Sequence, residues 1–487
     1  MKKGTLLIIV ASLLVAAASI GVGADKDDKD DKDGQKSSGY WETKKSAWAA
    51  LTPAQRDQVF KFAEDYKAYL TAARTAETST REVIRLAKAA GFAEFKEASQ
   101  VKAGAKLYVN GRERAVILVV VGSDPMVSGT RLVGTHHDSP HIDLKARPFR
   151  AAGGFTLFNT AYYGGIKKYQ WANRPLALVG RIDTPDGKRV EVAIGLKDGD
   201  PVFVIPDNAP HSDKVLRERK YTDVFMGEEL APVAGSIPGA ETTVIEQVVA
   251  SLTSTYGVRE EDFASAELAL VPAARPADVG LDRGLVGSAG QDDRLSSYCA
   301  VRGILDLAGT PKKTALAYLS NFEEVGSDNN TGAKSQFFND SLARLVAAER
   351  GAKYTDLDLR ETLRRSEVIS ADVNDGINPV FPQTSDPGNS ARLGYGVTIK
   401  RYGAGFDANS EFIARIRGIL DKGGIAWQTQ SPKEGYSGGT IGGFLSEWDM
   451  EVIDLGVPLL SMHSPYEMSS KVDVWSFYRF MNAFLGA

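Results

Sequence analysis

Three of the chain's five histidines fall in one short segment, THHDSPHIDLKARP, from Thr135 to Pro148. Within it His136 and Asp138 have the His-x-Asp spacing that lets an imidazole meet a metal ion while the carboxylate two residues on orients it. A lone histidine is usually a satisfied polar residue of a turn, but four further segments supply matching groups. GQDDR (290–294) carries the adjacent acids Asp292 and Asp293, NFEEVGS (321–327) carries Glu323 and Glu324, SAD (370–372) ends in Asp372, and SMHSP (461–465) contains His463. Adjacent carboxylates buried at a strand end repel each other unless a cation lies between them. Two histidines and three carboxylates suffice to hold two Zn²⁺ or similar ions about 3.5 to 4 Å apart with one carboxylate bridging, and leave another glutamate free as a base. That is the constellation of a hydrolase in which a bridging water attacks a carbonyl. The single cysteine, Cys299, excludes an intrachain disulfide and any CxxC thiolate site, so a metal here must sit on His and carboxylates.

These groups need a scaffold that brings them together. Val116 to Val121 (VILVVV) is a continuous β-branched run, the pattern of a strand buried on both faces as in a parallel sheet. Similar runs recur at Ala315 to Leu319, Glu367 to Ile369 and Val457 to Leu460. Thr52-Pro53 reads as an N-cap with proline at N1, opening a helix through Val59, Phe60, Ala63, Tyr66 and Leu70. Ser79 with Glu82 reads as the capping box of a second helix closing near Gly91. Helical spacing returns at Tyr298, Val301, Ile304, Leu305 and Ala308, and at Val474, Phe477, Tyr478, Met481 and Phe484. Strands and helices in alternation predict an α/β fold, an open sheet flanked by helices that binds ligands beyond its strands' carboxyl ends. The candidate acids and histidines lie at such ends or in the loops after them. From about Phe149 to Arg283 the pattern changes to short β runs between Gly, Pro and Asp turns, which predicts an inserted β-rich domain at 149–283 between catalytic parts 41–148 and 284–487.

At 487 residues, 43% hydrophobic and 25% charged, the chain is a globular protein of more than one domain and is too apolar for general disorder. Its formal charge of -4 lacks the positive field that phosphate binding needs, so nucleic acid is not an expected partner. Residues 1–24 join Lys2 and Lys3 to an apolar run ending in Val22-Gly23-Ala24, the pattern of a signal peptide, and predict export to the periplasm or medium. An uncleaved membrane anchor is the alternative, because the run approaches the roughly 20 residues that span a bilayer. Residues 25–40 read as a charged flexible tether; DKDDKDDKDGQKSSG has no apolar residue, and its aspartates lack the spacing of an EF-hand.

Six segments in order resemble the aspartyl aminopeptidase and vacuolar aminopeptidase I family, its bacterial branch above all. They are THHDSPHIDLKARP, AYYGGIKKYQW (161–171), GQDDRLSSYCA (290–300), NFEEVGSDNNTGAKSQFF (321–338), SADVNDGINP (370–379) and DLGVPLLSMHSPYEMSSKVDV (454–474). The resemblance covers most of residues 50 to 487. It implies a metal-dependent aminopeptidase acting on peptides, with two divalent ions per chain, zinc with cobalt or manganese as alternatives. It implies one ion on His136, Asp292 and Asp372, a second on Asp292, Glu324 and His463, and Asp292 as the bridge. Asp138 would orient His136, and Glu323 would be the general base that moves a proton from the bridging water to the leaving amine. The family further implies that the insert dimerises and that the homo-oligomer is a dodecamer with its sites facing an inner chamber. The chain departs from the pattern at Ala161, Asp375 and Asn378, where relatives carry histidines that help hold the substrate or its oxyanion across a subunit boundary. The signal peptide departs too, since the family is mostly intracellular.

Other chemistries compete. GYSGG (435–439) fits G-x-S-x-G, with Asp454 and His463 following in α/β-hydrolase order, but Ser437 follows a polar loop rather than a strand and leaves the His136 cluster unexplained. A carboxypeptidase or deacylase would use the same two ions and is separated by testing amino-acid amides against N-acylated substrates. A catalytically silent peptide-binding relative would have lost a ligand or Glu323, and neither is lost. Lys400 and Arg401 are candidates for an acid-selecting pocket, against the usual solvated role of such residues. N-terminal sequencing of the mature protein should begin at Asp25; Met1 retained in the cytoplasm overturns export, and Met1 retained in a membrane fraction identifies the anchor.

Overall fold

Strand Ala115–Val120 sends alternate side chains to opposite faces, and both faces are buried: Val116, Leu118 and Val120 join one apolar cluster, Ile117 and Val119 another. The computed structural model describes residues 40, 41, 43–403, 406–434 and 439–487. The expected signal peptide, nearly all of the tether and Ser437 lie outside the described residues. Strand Ala315–Ser320 divides in the same way, Ala315, Ala317 and Leu319 against Leu316 and Tyr318. Helices Pro53–Ala72, Gln291–Leu305, Ser410–Lys422 and Lys471–Gly486 close the first cluster through Tyr66, Tyr298, Ile416 and Phe477. Phe337–Arg350, Asp356–Arg364 and Gly442–Ser446 close the second through Leu342, Leu363 and Leu445. The result is an open nine-stranded sheet between two helical layers, as the alternating pattern predicts.

Its strands run in the order Ala93–Glu94, Lys106–Gly111, Ala115–Val120, Ala315–Ser320, Arg131–His136, Glu367–Ala371, Glu451–Gly456, Val397–Lys400 and Trp427–Gln430. Ala115–Val120 pairs antiparallel with both neighbours, contrary to the parallel expectation. A continuous apolar run reports burial on two faces, and any central strand covered by helices meets that condition whatever its direction. The parallel part lies where it matters for the site: Arg131–His136 is parallel to Ala315–Ser320 on one side and to Glu367–Ala371 on the other.

Two smaller sheets complete residues 45–487, which form one compact unit. Six strands between His141 and Pro272 make a second sheet with its own core, including Ile142, Phe158, Trp171, Leu178 and Leu270. Its first strand is His141–Ala152, so the change of character begins ahead of Phe149. A third sheet combines Ala277–Val279, Leu285–Ser288, Glu467–Ser470, Pro458–Leu460 and Asn374–Asp375. The run expected as a main-sheet strand at Val457 to Leu460 belongs here, and Glu451–Gly456 takes the place in the main sheet. Pro458 has no amide hydrogen to donate to a ladder, which suits a change of sheet there. Among the described residues no helix is long and apolar enough to cross a membrane.

The second helix also starts earlier than Ser79. It spans Ala76–Ala89 with Thr75 as N-cap: Thr75 Oγ1 accepts from Thr78 N (3.3 Å) and Thr78 Oγ1 accepts from Thr75 N (2.8 Å). Ser79 is interior and shares a 2.8 Å hydrogen bond with Tyr69, while Glu82 accepts from Arg85. Thr75→Ala should therefore cost about 1 kcal/mol in urea unfolding and Glu82→Gln less than about 0.5 kcal/mol; the reverse ranking would overturn this cap.

Candidate active site

Sheet register brings the first groups together. Ser320 lies opposite His136, and Ser370 lies opposite Gly134, so Asp372, two residues on, comes level with His136. Glu323 and Glu324 form a short turn just beyond Ser320, entered through Phe322 in the left-handed region. Asp292 comes from the start of helix Gln291–Leu305, where its backbone is not helical, and His463 follows strand Pro458–Leu460. All six side chains line one cavity of about 580 Å³.

Asp292 stands at its centre. Its Oδ1 lies 3.4 Å from His136 Nε2 and its Oδ2 lies 3.2 Å from His463 Nε2. Around His136 Nε2 are also Asp372 (3.8 Å) and Glu323 (3.9 Å); around His463 Nε2 is Glu324 (3.4 Å). His463 Nδ1 donates to Gly165 O at 2.8 Å, and His136 Nδ1 lies 3.3 Å from Asp138 Oδ1, so both rings present Nε2 to the cavity, the arrangement of a neutral metal-ligating imidazole.

Asp138 holds more than His136. Its Oδ1 accepts from Glu323 N (3.3 Å) and its Oδ2 from Glu324 N (3.2 Å) and from Tyr163 OH (2.7 Å). One buried carboxylate thus fixes the turn that carries both glutamates. Tyr163 lay within the recognised AYYGGIKKYQW segment, but nothing local to it marks a partner in another segment.

The electrostatics are those of crowded, buried acids. Burial pushes Glu323 up to about 7, with His136 opposing and Asp372 and Asp138 adding; burial and Asp292 raise Glu324 as well. Asp292 goes the other way: burial works against its charge, but His136 and His463 hold it well below the usual carboxylate range. Burial alone would lower both histidines; the surrounding acids, Asp138 and Asp292 foremost for His136 and Asp292 foremost for His463, raise them instead, His463 to about 10. Glu324 Oε1 and Asp293 Oδ2 are buried acceptors without a donor among the described residues. Ligand atoms of His136, Asp292 and Glu324 lie within 4.8 Å of one another, as do those of His136, Asp293 and Asp372. An acid-rich, oxygen- and imidazole-lined pocket of this kind fits divalent zinc-type ions. Asp293 is a further carboxylate here to which the sequence pattern assigned no part; its Oδ1 accepts from Ser296 and, at 3.3 Å, from Val373 N.

The remaining candidates lie elsewhere or are already engaged. His137 donates Nε2–H to Arg114 O (2.8 Å) and lies 3.1 Å from Ser79 Oγ, while His141 contacts Ser139 O (2.7 Å) and Asp143 (2.9 Å) and stacks on Tyr163. Lys400 and Arg401 both line the cavity; Arg401 binds Asp407 (2.7 Å), and Lys400 is kept charged against burial by Asp372 and Asp454. Asp375 also lines it; Asn378 is occupied in a local turn, accepting from Val380 N, and Ala161 is exposed opposite Asp143. Of the serine-triad residues, Ser437 lies outside the described residues, and His463 and Asp454 do not pair with each other: the His463 nitrogens face Gly165, Asp292 and Glu324, while Asp454 accepts from Thr440.

Comparison with known proteins agrees with this architecture. Residues 69–485 match the family described as aminopeptidase I zinc metalloproteases (M18). A "Probable M18 family aminopeptidase 1" of Borrelia garinii is 36% identical over 454 residues, 91% of this chain and 99% of that protein. A crystal structure of an M18 aminopeptidase from Thermotoga maritima superposes with a TM-score of 0.85 at 37% identity, covering 91% of this chain and 99% of that one. A Saccharomyces cerevisiae mApe1 dodecamer shares the fold at 22% identity, with a TM-score of 0.71 over 87% and 96% of the two chains. A buried pocket of acids and imidazoles at the carboxyl edge of a helix-flanked sheet defines a metallohydrolase. The chain belongs to the M18 family of zinc metallo-aminopeptidases.

Burial lowers His137 to about 4, so the folded protein binds fewer protons than the unfolded chain between about pH 4 and 6.5. The stability this gives is whole above pH 6.5 and is lost as pH falls toward 4, on the order of 3 kcal/mol. His137→Gln should show a shallower loss than the unaltered protein across that window in denaturant titrations; equal slopes would overturn it.

Proposed function

We propose that the chain removes N-terminal residues from peptides with two divalent ions, one on His136, Asp292 and Asp372 and one on Asp292, Glu324 and His463. The observation that carries this reading is the division of Asp292: one oxygen toward each imidazole, 3.4 and 3.2 Å away, as a bridging carboxylate requires. Zinc is the ion favoured by the family and by the His and carboxylate donors, with cobalt or manganese as substitutes. When bound, the ions supply Lewis acidity and offset the negative charge that develops on the scissile carbonyl oxygen. The chain's own part in proton movement falls to Glu323. It lines the cavity beside His136 and takes a proton from the attacking water, then delivers it to the leaving amine. Asp138 keeps that carboxylate in place through the backbone of its turn and orients His136.

Chelation should abolish turnover of aminoacyl substrates, and Zn²⁺, Mn²⁺ or Co²⁺ should restore it. Glu323→Gln should keep both ions and lose about 10² to 10⁴ in kcat, whereas Glu324→Gln should bind one ion poorly and recover partly at high metal. Loss of metal in Glu323→Gln, or a near-normal kcat there, would refute the assignment. Loss of activity in Ser437→Ala with metal intact would favour a serine hydrolase.

The same reading includes a homo-oligomer, with the dodecamer of the fungal fold neighbour as its largest form. Helix Val244–Tyr256 supports it: Val244, Ile245, Val248 and Val249 are only half-buried, although Leu252 packs on the core of the second sheet. It also includes export, which rests on residues 1–24 alone.

A further inference from the structure

Ligands of the two ion sites are held in place by different means. His136 ends a main-sheet strand, and Asp372 N donates to Leu455 O just beyond another, so these two inherit their positions from the sheet. Asp292 and His463 have no such ladder. Asp292 sits in a non-helical stretch at the start of its helix, and His463 has φ near +61°, a left-handed conformation that a residue with a side chain adopts only when its surroundings impose it.

Glu467, on the third sheet, supplies what they lack. Its side chain is buried, and it divides its oxygens as Asp292 does: Oε1 accepts from His463 N at 2.9 Å, while Oε2 accepts from Gln291 N at 2.6 Å and Asp292 N at 3.2 Å. The strand that carries it is fixed to the same helix start, because Gln291 Nε2 donates to Glu467 O (2.8 Å) and Gln291 Oε1 accepts from Ser469 Oγ (2.5 Å) and Tyr66 OH (3.2 Å). Asp138 clamps the two glutamate amides in the same manner.

We propose that Glu467 is a positioning residue that presets Asp292 and His463 before an ion binds, so that it orders two of the three ligands of the second ion but only the bridging Asp292 of the first. The inference rests on the two-ion reading above. A Gln at 467 keeps one carbonyl acceptor but turns an NH₂ toward amide hydrogens, so it can hold one of the two segments and not both.

Zinc titration of the metal-free full-length chain by calorimetry tests this. The unaltered protein should bind two ions. Glu467→Gln should weaken the second site about 10- to 100-fold, the usual cost of removing a group that orients a metal ligand, and the first, which shares only Asp292, distinctly less. Activity of the variant should return at saturating zinc with KM unchanged. Equal weakening of both sites, or of neither, overturns the proposal, whereas a single ion in the unaltered protein overturns the two-ion reading instead. Hydrogen exchange on the metal-free unaltered protein decides the matter if the variant does not fold: the amides of Asp292 and His463 should be protected without zinc, and free exchange there overturns the preset geometry.

Discussion

A carboxylate taken out of water costs several kcal/mol unless hydrogen bonds or a cation offset it, and this fold brings Asp292, Glu323, Glu324 and Asp372 to one cavity, with Asp293 close behind Asp372. Two imidazoles and a lysine cannot balance them, and Glu323 and Glu324 respond by holding their protons more tightly. Much of the surrounding structure answers that crowding. Buried carboxylates that face backbone amides, Asp138 and Glu467, keep the acidic segments apart and aimed. Glu324, which faces the cavity, keeps one oxygen without a donor among the described residues. The divalent chemistry of the family is the way such a pocket becomes stable, and the same charge is what its hydrolysis uses.

The scaffold that tolerates this is a sheet buried on both faces. A stiff ladder fixes the relative height of His136, Ser320 and Asp372 to the residue, and a slip of one position would turn each side chain to the opposite face. Groups outside the ladder require tethering of their own. The division explains why a site assembled from five separate stretches of chain has a strand-borne half and a loop-borne half.

Chemistry leaves marks on a sequence where it needs unusual residues side by side. His136 with Asp138, Glu323 with Glu324, and the acids of GQDDR were legible for that reason, as was a helix-flanked sheet from apolar runs and helical spacing. Tyr163 and Glu467 were not, because each is a single ordinary residue whose partner lies far away: 25 positions for Tyr163 and Asp138, 175 for Glu467 and Asp292. Strand direction at Ala115–Val120 was hidden because burial looks the same in either orientation. The cap of the second helix was hidden because Thr75 pairs with another threonine, Thr78, rather than with the Glu or Gln of the usual box, which Ser79 and Glu82 match by sequence alone.

The order of the ligands along the chain sets a schedule for the protein's birth. His136 precedes the whole second sheet, whereas His463 lies close to the carboxyl terminus, and at the usual 5 to 20 residues per second a ribosome needs roughly 15 to 65 seconds to travel between them. Throughout that interval the emerging chain holds an imidazole and several acids with no complete nest for an ion. Under the two-ion assignment proposed above, hydrolytic power switches on only after translation has all but finished, so a truncated chain that lacks His463 has no second ion site with which to cut peptides.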